Sequence, residues 1–170
     1  DGKVVGATVV MGAPKLRAAE VPVVAPGDEM LMDYPLEVNG HNFEISCVSM
    51  GNPHAVLRVD DIDTAPVESW GPLIEPHPVF PRKVNVGFMQ VIDEHNIRLR
   101  VFERGAGETL ACGTGASAVC VAGVLSGRTE RKIVNYLRGG DLELEWGEDN
   151  HVYMTGPAEE VFSGQWNFRG

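Results

Sequence analysis

The residues between positions 103 and 117 have the types and spacing most suited to chemistry. Two opposite charges, Glu103 and Arg104, are followed by a glycine-rich turn, and Cys112 stands directly before Gly113-Thr-Gly115. If a helix begins there, its first backbone N–H groups lack partners within the helix, and its dipole is positive at that end. We therefore expect a lowered pKa for the Cys112 thiol and a binding place for a carboxylate or phosphate beside it.

The alternative for Cys112 is that it is a small buried residue, as free cysteines usually are. We expect Cys47, on the apolar face of a predicted strand, and Cys120, inside a predicted apolar helix, to be core residues. Three cysteines are an odd number, which does not suit the disulfide framework of a secreted protein.

Two asparagines and a histidine form a second group of candidate site residues. The turn Gly51-Asn-Pro53 lies between two predicted strands and would present Asn52 and His54 at a strand end. The alternative is a plain turn asparagine and a surface histidine. Asn85 stands between valines in a predicted strand, where asparagine is uncommon. If it points inward, it needs a partner from a ligand or from the backbone of a neighbouring loop.

The composition limits the classes of partner. Aspartate and glutamate number 24 against 14 lysines and arginines, so the net charge is -10. Such a chain is a poor candidate for binding nucleic acid or an anionic membrane surface, although one arginine can still hold a small anionic substrate. The five histidines show no metal-ligand spacing, and the match of residues 113–118 to a dinucleotide fingerprint is weak because no strand runs into it.

The elements that must position these residues are mainly strands. Apolar alternation predicts strands over residues 4–11, 43–48, 55–59, 83–92, 97–103, 142–146, 151–154 and 161–168. The uncharged run 109–127 is nearly long enough for a membrane helix, but its many small residues favour a helix over 113–125 that is buried on all sides. A shorter helix, broken by Pro66 and Pro72, is expected within 61–73. We expect an α+β domain, with an antiparallel sheet curled into a barrel around the apolar helix.

Four motifs in order resemble one known family. Gly51-Asn-Pro-His54, Val84-Asn-Val86, the stretch 103–109 and Ala111-Cys-Gly-Thr-Gly-Ala116 resemble the C-terminal half of diaminopimelate epimerase, and the resemblance runs over nearly the whole chain. It implies a cytoplasmic, cofactor-independent and metal-free isomerase of lysine biosynthesis, a homodimer when full length. The substrate would be the small molecule 2,6-diaminopimelate, whose LL and meso forms are interconverted by two cysteines on opposite faces of the α-carbon.

The resemblance also implies a role for each candidate residue. Cys112 matches the cysteine of the second domain, and His54 and Glu103 match residues that support proton movement at the thiols. The positions that match substrate-binding residues are Asn52, Asn85, Glu103, Arg104, Gly113 and Thr114.

The resemblance divides the chain into parts and indicates that it is incomplete. Residues 13–157 match the second domain, while 1–12 and 158–170 match strands of the first domain and would lack their sheet here. The family's other cysteine motif is absent from the sequence, so we expect the chain alone to be inactive. The remaining alternatives are a proline racemase-like enzyme, a cysteine-free isomerase of the same fold, and a non-catalytic amino-acid-binding module.

Overall fold

Strands are the main regular element in the computed structural model, which describes residues 4–167. The two helices are α1 (Val67–Ile74) and α2 (Gly113–Leu125). The ten strands are β1 (Gly6–Gly12), β2 (Tyr34–Val38), β3 (His41–Ser49), β4 (Pro53–Arg58), β5 (Asn85–Asp93), β6 (Asn96–Glu103), β7 (Gly107–Thr109), β8 (Lys132–Leu137), β9 (Gly140–Trp146) and β10 (Val152–Pro157). No helix among these residues is both long and apolar enough to cross a membrane.

All ten strands belong to one sheet that is open rather than closed. Its order is β1-β10-β9-β8-β6-β5-β4-β3-β2, with β7 paired to β6 outside this path. The sheet curls around α2, which contacts strands along most of its width. The predicted barrel is wrong, however, because the edge strands β1 and β2 do not pair with each other.

The predicted all-antiparallel pairing is also wrong at two places. Strands β4 and β5 pair in parallel, as do β6 and β8. Parallel neighbours cannot be joined by a hairpin and need a crossover connection. Each helix lies in one of these crossovers, α1 between β4 and β5 and α2 between β6 and β8, so the parallel pairs follow from where the helices occur in the chain.

Helix α2 confirms the prediction of a helix buried on all sides. Its nine residues from Gly115 to Gly123 are all buried, and it has no polar face. It ends at Leu125 with Ser126 as the C-cap residue, and Gly127 then adopts a positive φ of 66°, the conformation in which glycine commonly ends a helix. Ser117 is fully buried and satisfies its hydroxyl by donating to the carbonyl oxygen of Gly113.

The hydrophobic core lies on both faces of the sheet. On β4, Ala55 and Leu57 pack toward the side of α1, while Val56 packs toward α2. A strand covered on both faces is buried along its whole length, which is the case for residues 53–57, where His54 is the one polar residue. The expected short helix is present as α1, which begins after Pro66 and extends one residue past the predicted range, to Ile74. The predicted break at Pro72 is wrong, because Pro72 lies inside the helix.

Several predicted strand limits differ from the structure. Strands β2, β7 and β8 were not predicted. Strands β2 and β7 are only five and three residues long, and in β8 the polar Asn135 takes one of the buried positions, which interrupts the apolar alternation. The predicted final strand is wrong over residues 161–167, which form no regular structure, and position 168 lies outside the described residues. Strand β1 was expected to lack a sheet, but it pairs with β10 along most of its length.

Replacing Gly71 with alanine is expected to destabilise the packing of α1 on β6. An added Cβ would lie less than 3.0 Å from three atoms of the Phe102 side chain. Overpacking of this kind costs about 1–3 kcal/mol, more than the gain of about 1 kcal/mol in helix propensity. Urea-induced unfolding measures the change. The matched control Ser69→Ala, on the exposed face of the same helix, should alter stability by less than about 0.5 kcal/mol. Equal stability of the two variants would contradict the close packing.

Candidate active site

The candidate residues gather at one end of the sheet. Strands β4 and β5 begin there, with His54 opposite Asn85 in the parallel register. Strand β6 ends there at Glu103, because it runs antiparallel to β5. Helix α2 begins at the same end, directly after Cys112. Chain direction in the mixed sheet therefore brings together motifs that are separated by as many as 62 residues, as in the contact of Asn52 with Thr114.

Cys112 is the N-cap residue of α2. Its backbone is extended, and its carbonyl oxygen accepts the first bond of the helix from Ala116 N–H at 2.8 Å. The residue is 7% exposed, and its sulfur lies 3.5 Å from the Thr114 hydroxyl. This confirms the predicted place of Cys112 directly before the helix, and it shows that the thiol is largely covered.

A hydrogen-bond chain connects Cys112 with a buried histidine. The Asn52 amide donates from Nδ2 to Thr114 Oγ1 at 3.2 Å, and its Oδ1 lies 3.1 Å from His54 Nε2. With Asn52 Oδ1 as acceptor, His54 donates from Nε2 and the Thr114 hydroxyl is free to donate to the sulfur. The chain therefore runs from His54 through Asn52 and Thr114 to Cys112, with each donor directed toward the thiol.

The predicted lowering of the Cys112 pKa is wrong. Burial raises the pKa of this thiol, since it removes water from the thiolate. Hydrogen bonds from the Thr114 hydroxyl and the Gly115 N–H lower the pKa, but by less than burial raises it, and the nearby Glu103 carboxylate raises it further. The resting form of Cys112 is accordingly the protonated thiol.

His54 is not the surface histidine that one alternative suggested. It is 1% exposed, and burial, with the charge of Arg104 as a smaller cause, lowers its pKa to about 4. The imidazole is therefore neutral near pH 7 and holds one proton for donation to Asn52.

Asn85 finds its partners in neighbouring loops. It is 4% exposed, its Nδ2 donates to the Pro53 carbonyl oxygen at 3.1 Å, and its Oδ1 accepts from Arg104 N–H at 2.8 Å. Asn85 thus joins the turn that carries Asn52 to the turn that carries Arg104. The Arg104 side chain is exposed and donates to the Arg82 carbonyl oxygen at 2.8 Å.

Glu103 and the glycines complete the surroundings of the thiol. The Glu103 carboxylate accepts a hydrogen bond from the Thr109 hydroxyl at 2.5 Å. Side chains at Gly113 or Gly115 would crowd the site, since an added Cβ would lie 3.2 Å from Met154 atoms or 3.3 Å from Cys112 Sγ. Among residues 4–167, the N–H groups of Gly113 and Thr114 have no acceptor and remain available for an anion.

The other two cysteines are not part of this site. Burial raises the pKa of both Cys47 and Cys120 to about 12, and both are fully buried, as expected for core residues. No group of three or more histidine, cysteine or acidic residues within the described chain is arranged to hold a metal ion.

Sequence reasoning missed Glu75, whose carboxylate accepts a hydrogen bond from the Gly105 N–H at 3.1 Å. No local pattern marks that residue, since it lies in a proline-rich loop.

Comparison with known proteins decides the family. The family model named diaminopimelate epimerase matches residues 46–161. Diaminopimelate epimerases of Moorella thermoacetica and Alkalilimnicola ehrlichii are 55% and 57% identical to this chain, over 96% and 97% of its length.

The chain belongs to the diaminopimelate epimerase family. It spans about 58% of the length of these curated relatives. Among solved structures of lower identity, a probable proline racemase from Agrobacterium radiobacter shares the fold with a TM-score of 0.63 at 14% identity, covering 92% of this chain and 52% of its own. A hydroxyproline epimerase from Agrobacterium vitis gives a TM-score of 0.62 at 15% identity, with coverages of 92% and 51%.

Thr114→Val is expected to raise the pKa of Cys112, because it removes a hydrogen bond that stabilises the thiolate. The rate of alkylation by iodoacetamide follows the thiolate fraction, so it should fall about threefold to tenfold near neutral pH. Mass spectrometry of the modified peptide measures the rate at Cys112. Thr114→Ser keeps the hydroxyl and should behave as the unaltered protein does. Ser126→Ala, at the other end of α2, is the control. An unchanged rate in Thr114→Val would remove this hydroxyl from the site.

Glu103→Gln is expected to act in the opposite direction. Removing the negative charge that raises the pKa of Cys112 lowers that pKa, and the alkylation profile should move to lower pH. The amide oxygen of glutamine can still accept from Thr109, so the local geometry is maintained. The same measurement over a range of pH applies, and a profile that moves upward would contradict the assigned electrostatics.

Proposed function

We propose that this chain supplies one of the two acid–base thiols of a cofactor-independent diaminopimelate epimerase, which interconverts LL- and meso-2,6-diaminopimelate. The observation that carries the proposal is Cys112 at the start of α2, beside the N–H groups of Gly113 and Thr114, which have no acceptor among residues 4–167. Relatives at 52–57% identity have the name diaminopimelate epimerase, whereas the proline enzymes of the same fold are 14–15% identical. The racemase-like and cysteine-free alternatives are therefore not favoured.

The proposed chemistry is exchange of the proton on the α-carbon. The N–H groups of Gly113 and Thr114 would hold the substrate α-carboxylate and stabilise the negative charge that spreads onto it as the proton leaves. Cys112 rests as a thiol, so it would deliver a proton to one face of the carbanion. In the reverse direction its thiolate would remove that proton, stabilised by Thr114 and Gly115. A thiol from the missing half would act on the opposite face.

The remaining residues would recognise the substrate and maintain proton balance. Arg104 can pair with a carboxylate. Asn52 and Asn85 each retain one amide hydrogen and one oxygen lone pair beyond the bonds described, so they can contact the substrate without breaking those bonds. Glu103 and the neutral His54 would support proton movement at the thiol.

The full-length enzyme would also contain a first domain, since this chain spans about 58% of the length of its relatives. Residues 13–157 would form the second domain, and 1–12 and 158–170 would contact the first. Support comes from apolar side chains that are exposed at both ends of the described chain, including Val5 at 77%, Val161 at 87% and Trp166 at 88%. A homodimeric assembly and a cytoplasmic location are proposed from the family resemblance alone.

Cys112→Ala in the full-length protein is expected to lower the turnover of LL-diaminopimelate at least about a hundredfold, because proton transfer loses its acid and base. Chiral chromatography of the diaminopimelate stereoisomers measures the rate. The control Cys120→Ala removes a buried thiol of the same helix and should retain activity. Circular dichroism checks that both variants are folded, and both spectra should match that of the unaltered protein. Retained turnover in Cys112→Ala would remove Cys112 from the mechanism.

The isolated chain of 170 residues is expected to show no LL-to-meso conversion. One thiol can exchange a proton on one face of the α-carbon, but inversion needs a second group on the other face. The assay uses the same stereoisomer separation, with the full-length protein as the positive control. Measurable conversion by the isolated chain would refute the two-thiol proposal.

A further inference from the structure

Glu75 occupies a position that its own helix does not favour. It follows α1 as the C-cap residue and is 8% exposed. A carboxylate at the C-terminal end of a helix meets the negative end of the helix dipole, which is unfavourable. Among the described residues, the only cation within 4.0 Å of this carboxylate is the exposed Lys83 ammonium at 3.4 Å, a long ion pair that is screened by water. Local electrostatics therefore do not account for this buried carboxylate.

The Glu75 carboxylate instead contacts the turn that follows β6. Its Oε1 accepts a hydrogen bond from the Gly105 N–H at 3.1 Å, across 30 residues of sequence. Gly105 has a positive φ of 76° and is exposed. The bond thus connects an exposed turn to a buried anchor. The anchor is itself fixed, since the backbone N–H of Glu75 donates to Gly71 and its carbonyl oxygen accepts from Val84 N–H.

Two further bonds hold the same turn to the same segment. Arg104 donates from its backbone N–H to Asn85 Oδ1 and from Nη1 to the Arg82 carbonyl oxygen, each at 2.8 Å. The residue after Arg82, Lys83, has a left-handed φ of 57°, a strained conformation for a residue with a side chain. All three acceptors therefore lie between residues 75 and 85, in addition to the bonds that the turn makes within the β6–β7 hairpin.

We propose that Glu75 is a positioning residue for Arg104, which holds the turn so that the guanidinium meets a substrate carboxylate. This inference rests on the proposed function of Arg104. Glu103 is held separately by Thr109, so loss of the Glu75 bond leaves the surroundings of Cys112 in place. Substrate binding should therefore weaken while proton transfer at the thiol continues.

Three substitutions of Glu75 in the full-length protein distinguish the effect of the hydrogen bond to Gly105 from the effect of the negative charge. Glu75→Gln keeps an oxygen at the same distance from Gly105 but loses the charge. Glu75→Asp keeps the charge but withdraws the oxygen by one methylene, and Glu75→Ala removes both. We expect KM for LL-diaminopimelate to rise about tenfold in the aspartate and alanine variants, with kcat little changed, because one hydrogen bond is lost. The glutamine variant should stay near the unaltered KM, and so should the control Lys83→Gln.

Amide hydrogen exchange of Gly105, followed by NMR, supplies a readout that does not depend on activity. Exchange should accelerate in the aspartate and alanine variants but not in the glutamine variant, with the Gly139 amide as the internal reference. A KM as high in Glu75→Gln as in Glu75→Ala would overturn the positioning role in favour of a charge effect. Unchanged Gly105 exchange in Glu75→Ala would overturn it as well. If the unaltered protein does not convert diaminopimelate, the proposed function fails, while the exchange result still decides whether Glu75 holds the turn.

Discussion

A helix without a polar face is the constraint on which the rest of the structure depends. Nine consecutive residues of α2 are buried, so the helix is stable only when protein surrounds it on all sides. The sheet meets this requirement by curling, and the two crossovers make β4 and β5, and β6 and β8, parallel neighbours. The same arrangement directs the starts of β4 and β5 and the end of β6 toward the N-terminus of α2. Core packing and the placement of the candidate site therefore have one cause.

The cost of that burial is visible at Cys112. A helix N-terminus stabilises a thiolate, but the same packing removes the water that would stabilise it further. Burial is the larger effect here, and the Glu103 carboxylate adds to it. The hydrogen bonds from Thr114 and Gly115 offset part of the increase in pKa. The net direction is upward, so the protonated thiol is the favoured form of Cys112.

The polar residues of the site are held mainly by each other and by loop backbones. His54 and Asn52 lead to the Thr114 hydroxyl, and Asn85 joins the turns of Pro53 and Arg104. Each side chain uses part of its hydrogen-bonding capacity inside the protein, which fixes its orientation before any ligand arrives. Such preorganisation lowers the free-energy cost of binding.

The sequence by itself determined helix α2, most strands, the burial of Cys47 and Cys120, and the family, because these depend on periodicity, turn residues and contiguous motifs. The Cys112 motif could be recognised for the same reason. Only the tertiary structure decided the open and partly parallel sheet, the inward position of His54, the raised pKa of Cys112 and the contact of Glu75 with Gly105. Each of these depends on which distant segments become neighbours and how much water they exclude, and neither quantity is contained in local spacing.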